Sequence, residues 1–328
     1  MACSSPLTGI IDQKGKITFE SIQLKDGESI KERKQRLENS GYISKIIQIP
    51  CRRCMGCRLD YAKEWANRLT LETKTSENNY FITLTYDDNN IPIRENKGEF
   101  ISFPLNKKDA QDFWKRVRAK YPEPHIKYFM CGEYGEETGR PHYHAIIYNA
   151  PWLNDLKYYK NNEFGDALFH SEILNKLWGK GDTTVGDVTW NSSSYVARYI
   201  TKKQYGDKAA EHYENLGLEP EFVTMSLKPM IGQEYYDQHK EQIYKNDYIW
   251  INCKGETIKI KPPRIYDLKY EIENPERMKE IKLQRQLRQE AATAEIINNT
   301  GYIDGAQMQR EIKARALDAR TANLKRTI

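Results

Sequence analysis

The amino-acid sequence predicts an α+β protein in which a central antiparallel β-sheet is flanked by α-helices. Short runs of β-branched and aromatic residues alternate with segments of helical periodicity, in the order strand, helix, hairpin, helix, strand, helix. Two of these runs are joined by Gly135 to Pro141, whose glycines and proline suit a hairpin loop. No glycine-rich phosphate loop occurs in the sequence, which argues against a doubly wound parallel sheet.

The individual elements are predicted from residue type and period. The predicted strands are β-branched or aromatic runs that stop at turn-forming residues. They span Gly41–Ile49, Tyr80–Tyr86, Ile126–Tyr134, His142–Tyr148 and Thr183–Thr189. The predicted helices carry apolar residues three or four positions apart. They span Leu59–Glu72, Asn106–Tyr121, Ser171–Trp178 and the segment SSYVARYITKK. Asn191 and Ser192 are expected to cap the last of these helices.

Three regions are expected along the 328 residues. Residues 1–79 form an N-terminal extension with a cysteine cluster and an amphipathic helix, and residues 80–205 form the core. Residues 206–328 form a C-terminal region, where prolines interrupt the pattern until a basic helical tail begins near Pro275. The tail has few apolar residues per turn, so we expect it to pack loosely or to await a partner.

Composition and charge exclude several classes of protein. Hydrophobic residues make up 39% and charged residues 30% of the chain, which is typical of globular proteins rather than disordered or fibrous ones. The net charge is +5, only a weak indication of nucleic-acid binding. No apolar run approaches the roughly 18 residues that span a membrane, and the N-terminus does not resemble a secretory signal. We therefore expect a cytoplasmic protein.

Three of the six cysteines, Cys51, Cys54 and Cys57, fall within seven residues. Zinc prefers four soft ligands in a tetrahedron, so this CxxCxxC motif needs one ligand from elsewhere. Cys3, Cys131, Cys253 or a histidine could supply that ligand. The alternative is that the three residues are simply buried or free thiols. A structural zinc site is the favoured interpretation.

A second candidate metal site involves His142 and His144, two apart on a predicted strand. Side chains two apart on a strand lie on the same face, which lets both imidazoles reach one metal ion. Glu133 ends the neighbouring strand of the hairpin, so its carboxylate can complete a site with open positions for water and phosphate oxygens. Glu136 and Glu137 in the loop are less well anchored. Paired histidines also occur as half-buried strand residues without a metal.

Tyr195, Tyr199 and Lys202 are spaced by four and three residues, which places them on one stripe of a helix. Such a stripe can be an ordinary aromatic core. It can also supply nucleophiles, because a tyrosine beside a cation and a metal ion is activated toward a phosphate. The histidine strand that precedes this helix favours the second interpretation.

Three motifs together resemble the HUH endonucleases. PHYH at Pro141–His144 resembles their two-histidine motif, YVARYITK at Tyr195–Lys202 resembles their two-tyrosine motif, and FITLTY at Phe81–Tyr86 resembles their first motif. Within that group the chain resembles the replication initiators of gokushovirus-type microviruses, which are small single-stranded DNA bacteriophages. Segments similar to those initiators extend over nearly the whole chain, from MACSSP at the N-terminus to KPPRIYDLKY. The middle HUH position, usually aliphatic, is Tyr143 here.

The resemblance implies an HUH, or Rep-like, fold and a rolling-circle nickase. Tyrosine attacks a phosphodiester of the phage origin, in single-stranded or supercoiled DNA, and leaves a 5′-phosphotyrosine and a free 3′-hydroxyl. The matched residues are His142 and His144 for Mg²⁺ or Mn²⁺, Glu133 by analogy as third ligand, Tyr195 and Tyr199 as nucleophiles, and Lys202 as the accompanying lysine. Cys3 is the preferred fourth zinc ligand because these initiators also begin with an early Cys and Pro.

The same resemblance implies the cellular setting. The protein acts in the cytoplasm of the bacterial host and contacts no membrane. Because the chain lacks a GxxxxGK[ST] loop, host helicase and polymerase are expected as partners. Two alternatives remain open at this point. One is an HUH transposase or relaxase, and the other is a non-catalytic zinc-containing DNA-binding protein whose tyrosines stack on bases.

Overall fold

The computed structural model describes most of the chain. The described positions are residues 3, 6–12, 17–18, 32, 35–36, 39, 43–135, 137–163, 165–202, 209–253, 255–300, 312–313, 315–317 and 319. They form two compact units. The described residues of Met1–Asp60 and Glu295–Leu324 belong to the first unit, and those of Tyr61–Ala294 belong to the second.

A small antiparallel sheet lies in the first unit. Its strands are β1 (Leu7–Asp12), β2 (Ile17–Thr18) and β3 (Ile43–Ile49), in the order β2-β1-β3. The strand predicted before Pro50 is therefore present as β3. The cysteine motif follows directly, and helix α1 (Met55–Glu72) begins inside it, four residues earlier than the apolar period indicated.

The second unit is built on a seven-stranded antiparallel sheet in the order β12-β7-β8-β4-β11-β10-β9. Its strands are β4 (Tyr80–Thr85), β7 (Lys127–Tyr134), β8 (Pro141–Tyr148), β9 (Lys157–Asn161), β10 (Ala167–His170), β11 (Thr183–Asp187) and β12 (Phe222–Met225). Two separate hairpins pair β5 (Arg94–Asn96) with β6 (Glu99–Ser102), and β13 (Ile249–Cys253) with β14 (Glu256–Ile260). The predicted α+β class with a central antiparallel sheet is confirmed.

Seven further helices complete the described elements. They are α2 (Lys107–Lys120), α3 (Glu172–Trp178), α4 (Trp190–Lys202), α5 (Ala209–Asn215), α6 (Gln233–Asn246), α7 (Arg264–Glu273) and α8 (Pro275–Thr300). Among the described helices, none is long and apolar enough to cross a lipid bilayer.

Helices cover both faces of the large sheet. On one face α2 and α3 pack against β4, β7 and β8, where Phe113, Tyr143 and Trp178 are fully buried in one apolar cluster. On the opposite face α1 and α4 pack against β7 and β8 through a second cluster that includes Leu69 and Val196. Because successive strand residues alternate between faces, Tyr143 faces the first cluster, whereas its neighbours on β8 face α4.

A third apolar cluster joins α6, α7, the β13–β14 hairpin and the start of α8. Tyr236 and Tyr266 are fully buried there, and Met278 and Ile281 of α8 are also buried. After Ile281 the described side chains of α8 are mostly exposed. This agrees with the small number of apolar residues per turn in the predicted tail.

Two features of this unit differ from the sequence-based expectation. Strand β11 ends at Asp187 rather than Thr189, and α4 begins at Trp190, before the expected caps Asn191 and Ser192. The reason is a reciprocal cap in which the Ser192 amide donates to Thr189 Oγ1 and the Thr189 amide donates to Ser192 Oγ. Strand β12 was not predicted, because its four residues, FVTM, are too few to show a period.

Candidate metal centre and tyrosine pair

The pairing of β7 with β8 brings the predicted metal ligands together. In the register of this hairpin Glu133 lies opposite His142, and Cys131 lies opposite His144. Residues paired across strands share a face, and residues two apart on one strand also share it. The carboxylate and both imidazoles therefore project from the same face of the sheet, toward α4.

The ligand atoms of Glu133, His142 and His144 all lie within 4.8 Å of one another. Glu133 Oε1 is 2.8 Å from His142 Nε2 and 2.9 Å from His144 Nε2. The Glu133 side chain is buried, whereas that of His142 is 19% exposed, so the cluster is reached from one side. Two imidazoles and one carboxylate form a set that can hold a divalent cation and leave positions open for other oxygens.

The outer nitrogen of each imidazole is held by a neighbouring group. His142 Nδ1 lies 3.2 Å from the carbonyl oxygen of Arg140, which can only accept, so Nδ1 carries the proton. His144 Nδ1 is 2.9 Å from Thr83 Oγ1 on β4. In metal sites such bonds fix the ring orientation and leave Nε2 to the cation. The residues present therefore fit a metal ion between Nε2 and Glu133.

The charge state of Glu133 is set by the two imidazoles. Burial by itself would raise the pKa of this carboxyl, but hydrogen bonds and charge from His142 and His144 outweigh it and lower the pKa to about 2. Glu133 is therefore a carboxylate at neutral pH. An ionised carboxylate is the form that coordinates a divalent cation.

Helix α4 places both predicted tyrosines beside this cluster. The Tyr199 ring lies 5.7 Å from the His144 ring and nearly parallel to it, while Tyr195 meets the same imidazole edge-on at 5.2 Å. The two tyrosine rings are 4.9 Å apart. Tyr195 is 37% exposed and Tyr199 only 4%. Lys202 is the last residue of α4, and its side chain lies outside the described residues.

The Tyr199 hydroxyl is a weak acid in this environment. Burial raises its pKa well above the usual value, and the negative charge of Glu133 and a hydrogen bond with Tyr195 raise it further. A cation held by Glu133 would reverse the second of these effects, because it neutralises the carboxylate that disfavours a phenolate.

Some residues at the site were not assigned a role from the sequence. Thr83 holds His144 through its hydroxyl, and the Phe81 ring lies 5.5 Å from the same imidazole, tilted by 20°. Alternation along β4 was the available signal, since residues two apart in FITLTY share a face. Glu137 is exposed in the hairpin loop, and Glu136 lies outside the described residues.

Four cysteines gather in the first unit. Cys3, Cys51, Cys54 and Cys57 place their sulfurs within 4.8 Å of one another. The Cys51 and Cys57 sulfurs are 4.0 Å apart, and those of Cys54 and Cys3 are 3.8 Å apart. All four are free thiols rather than disulfides. The other candidates for a fourth ligand, Cys131 and Cys253, lie on β7 and β13.

This geometry fits a tetrahedral metal site. Sulfurs bound at about 2.3 Å to one zinc ion lie about 3.8 Å apart, close to the separations observed. Backbone amides of Cys51 and Cys54 also donate to the sulfurs of Cys3 and Cys51 at 3.3 Å. Burial raises the pKa of the Cys57 thiol, and a hydrogen bond with Cys3 adds to the effect. The cluster can therefore hold a cation, which would supply the charge that thiolates require.

Comparison with known proteins identifies the family. The chain is 34% identical to the replication-associated protein ORF2 of Spiroplasma virus 4 over 279 residues, covering 83% of this chain and 81% of that protein. The chain belongs to the replication-associated proteins of microviruses. This membership was predicted from the sequence motifs and is confirmed.

Further comparisons agree with this family. The replication-associated protein VP4 of Bdellovibrio phage phiMH2K is 33% identical, with 70% of each chain covered. ORF4 of Chlamydia phage 1, also a replication-associated protein, is 32% identical over 47% of this chain and 38% of its own length. A family profile for replication-associated proteins of the ORF2 type matches residues 79–204, which include the metal candidates and both tyrosines. No solved structure matches the chain.

Proposed function

We propose that this replication-associated protein is a metal-dependent nickase and strand transferase of the two-tyrosine HUH type, acting on single-stranded DNA to initiate rolling-circle replication. One observation carries the proposal: the rings of Tyr195 and Tyr199 both contact His144, a member of the cluster that can hold a cation. Nucleophile and cation site are thus adjacent, as attack on a phosphate requires.

In the proposed reaction Glu133, His142 and His144 hold Mg²⁺ or Mn²⁺, which when bound polarises the scissile phosphate. A tyrosine Oη bonds to phosphorus, and the bond from phosphorus to the 3′ oxygen breaks. The products are a 5′-phosphotyrosine and a free 3′-hydroxyl, which receives the proton that balances the one lost from tyrosine. Lys202 is proposed to assist as a nearby positive charge.

The two tyrosines differ in accessibility, and this difference orders their use. Tyr195 is partly exposed and Tyr199 is buried, so an incoming strand reaches Tyr195 first. We propose that Tyr195 makes the first cut. Tyr199, about one helical turn away, then attacks while the first end is still attached, which closes the product without releasing it.

The alternative functions receive less support. A transposase or relaxase would use the same chemistry, but the relatives carry the name of replication-associated proteins. A non-catalytic DNA-binding protein would use Tyr195 only to stack on a base. The paired tyrosines beside one histidine favour catalysis, because stacking alone does not need a second, buried ring.

We also propose a structural Zn²⁺ bound by Cys3, Cys51, Cys54 and Cys57. Four sulfurs within 4.8 Å fill a tetrahedron and leave no open position for a substrate. The proposed partners are single-stranded or supercoiled phage origin DNA, with host helicase and polymerase. The proposed location is the cytoplasm of the bacterial host.

The experiment that tests the proposal is a nicking assay on phage origin DNA. Purified protein is incubated with supercoiled and single-stranded origin DNA, with Mn²⁺ or with a chelator. We expect open-circular or cleaved products only with the metal, together with a protein-linked 5′ end. Cleavage that leaves no linked protein would contradict the tyrosine mechanism. Binding without cleavage would favour the non-catalytic alternative.

A further inference from the structure

The sheet face that carries His144 continues beyond the helices that cover it. Helices α1 and α4 pack on this face over β7, β8 and β12. On the remaining strands the same face carries side chains that are half-buried or exposed, among them Thr184 of β11 and Leu168 of β10. An accessible strip therefore runs from the candidate metal centre to the edge of the sheet.

The strand register shows which residues lie on this strip. Thr83 pairs with His144, and Thr184 pairs with Thr83, so β11 places Thr184 on the histidine face. Phe169 pairs with Val185, which puts both on the opposite face. The next residue on β10 after Phe169 is His170, which therefore faces the same way as the metal candidates.

Four residues at the sheet edge form a patch on the histidine face, which we call the edge patch: Lys157, Tyr159, Lys160 and His170. Lys157 pairs with His170, and Lys160 pairs with Leu168. Tyr159 sits at the register shift between these pairs, with its ring 4.0 Å from the His170 ring.

The edge patch presents a held aromatic surface with positive charge beside it. Tyr159 is 47% exposed. His170 is fixed beneath it, because its Nδ1 lies 3.0 Å from the carbonyl oxygen of Thr183. Lys160 Nζ lies 5.1 Å from the centre of the Tyr159 ring. Lys157 has an exposed ion pair with Glu172 at 3.3 Å, the kind that solvent screens strongly.

An exposed aromatic ring beside lysines suits single-stranded DNA. Unpaired bases stack on aromatic side chains whatever their sequence, and lysines attract the phosphates between them. Strands in a sheet are about 4.8 Å apart, so the three to four strand spacings from β8 to β10 and β9 correspond to about 14 to 19 Å. That span is several nucleotides of extended single strand rather than one.

We propose that the edge patch binds bases of the substrate strand several nucleotides from the scissile phosphate, with Tyr159 as the stacking residue. This inference rests on the proposed function in one respect: the strand is the one that reaches Tyr195. The patch lengthens the bound segment and holds it on the sheet. It contributes to affinity for long strands without taking part in cleavage.

The test compares Tyr159 with Tyr158, its neighbour on the same strand. Tyr158 is more exposed, at 64%, but pairs with Phe169 and so lies on the opposite face. The variants are Tyr159→Leu, Tyr159→Phe and the matched control Tyr158→Leu. Their affinities for oligothymidylates of about 20 and about 6 nucleotides are measured by fluorescence anisotropy with the full-length protein.

Loss of one stacked base predicts about tenfold weaker binding of the long oligonucleotide by Tyr159→Leu. We expect wild-type affinity from Tyr159→Phe and Tyr158→Leu, because the first keeps an aromatic ring and the second alters the other face. Binding of the short oligonucleotide should be unchanged in all three. Unchanged affinity of Tyr159→Leu for the long oligonucleotide, or an equal loss in Tyr158→Leu, overturns the proposal.

A measurement on the unaltered protein guards against a folding defect. Oligonucleotides carrying 5-iododeoxyuridine at successive positions are crosslinked by light, and the attached peptide is identified by mass spectrometry. Crosslinks to Tyr159 support the proposal, and crosslinks to Tyr158 or to neither contradict it. If the protein binds as expected but does not nick DNA, the edge patch stands and the proposed function fails. If it nicks but Tyr159 makes no difference, the reverse holds.

Discussion

The Tyr199 ring stacks on the His144 imidazole, with ring centres 5.7 Å apart and planes inclined by 17°. This contact joins the helix that carries the tyrosines to the strand that carries the histidines. Movement of either element therefore changes the distance between nucleophile and cation site. The predictions below separate the contributions of metal ligands, supporting groups and nucleophiles.

Removing both imidazoles should abolish cleavage but not DNA binding. In His142→Ala/His144→Ala only Glu133 remains of the three ligands, too few to hold the cation, whereas phosphate contacts elsewhere persist. We expect no nicking above background, with DNA affinity close to wild type in a filter-binding assay. The control is His125→Ala, an exposed loop position that should cut normally. Undiminished cleavage by the double variant would sink the assignment.

Thr83 should act as a positioning residue for the metal site. Thr83→Val keeps the shape of the side chain but removes the hydroxyl that lies 2.9 Å from His144 Nδ1. Loss of such a supporting bond typically weakens metal binding by about 10 to 100-fold. Mn²⁺ titration by calorimetry measures this, with Thr83→Ser expected to restore affinity. Thr184→Val, on the next strand of the same face, is the matched control; an equal loss there would contradict a specific role.

The cysteine cluster should contain one zinc ion. Elemental analysis of protein purified without chelators is expected to find about one equivalent of zinc, because four sulfurs complete its shell. Cys54→Ser should lower the zinc content and the thermal stability, whereas Cys253→Ser should change neither. Less than about half an equivalent in the wild type would argue against a closed structural site.

A buried ion pair should dominate the stability of the second unit. Glu72 accepts from Lys127 Nζ through one oxygen and from the Gly232 amide through the other, each at 2.5 Å, and its side chain is 1% exposed. Breaking such a pair leaves a buried charge uncompensated, at about 3 to 5 kcal/mol. Glu72→Gln should lower the free energy of unfolding in urea by that amount. The exposed Glu77→Gln should shift it by less than about 0.5 kcal/mol.

Much of the core could be predicted because its signals are local. Strands such as β7 and β8 are strongly apolar, their loop is short, and the histidine spacing follows directly from strand alternation. Packing of α4 on this hairpin was foreseen only as far as a shared helical stripe allows. The burial of Tyr199 and exposure of Tyr195 depend on contacts with Val196 and with α1, which no spacing rule contains.

Other features could not be predicted because they depend on long-range pairing. Strand β12 joins the sheet beside β7, about 90 residues apart in sequence by the order of the chain. The edge patch depends on a register shift at Tyr159 that has no signature in KYYKN. The bond from Thr83 to His144 likewise joins two strands and appears only when β4 and β8 pair.

The central claim is that Tyr195 and Tyr199 are the nucleophiles, and covalent adduct formation tests it most directly. Single-stranded origin DNA with a radiolabel on the 3′ side of the cut is incubated with Mn²⁺ and each variant, and labelled protein is separated by denaturing electrophoresis. Tyr158→Phe is the control and should form the adduct normally. We expect an adduct from Tyr195→Phe and from Tyr199→Phe, impaired circularisation by both, and no adduct from the double variant. A wild-type yield of adduct from the Tyr195→Phe/Tyr199→Phe protein would contradict the account.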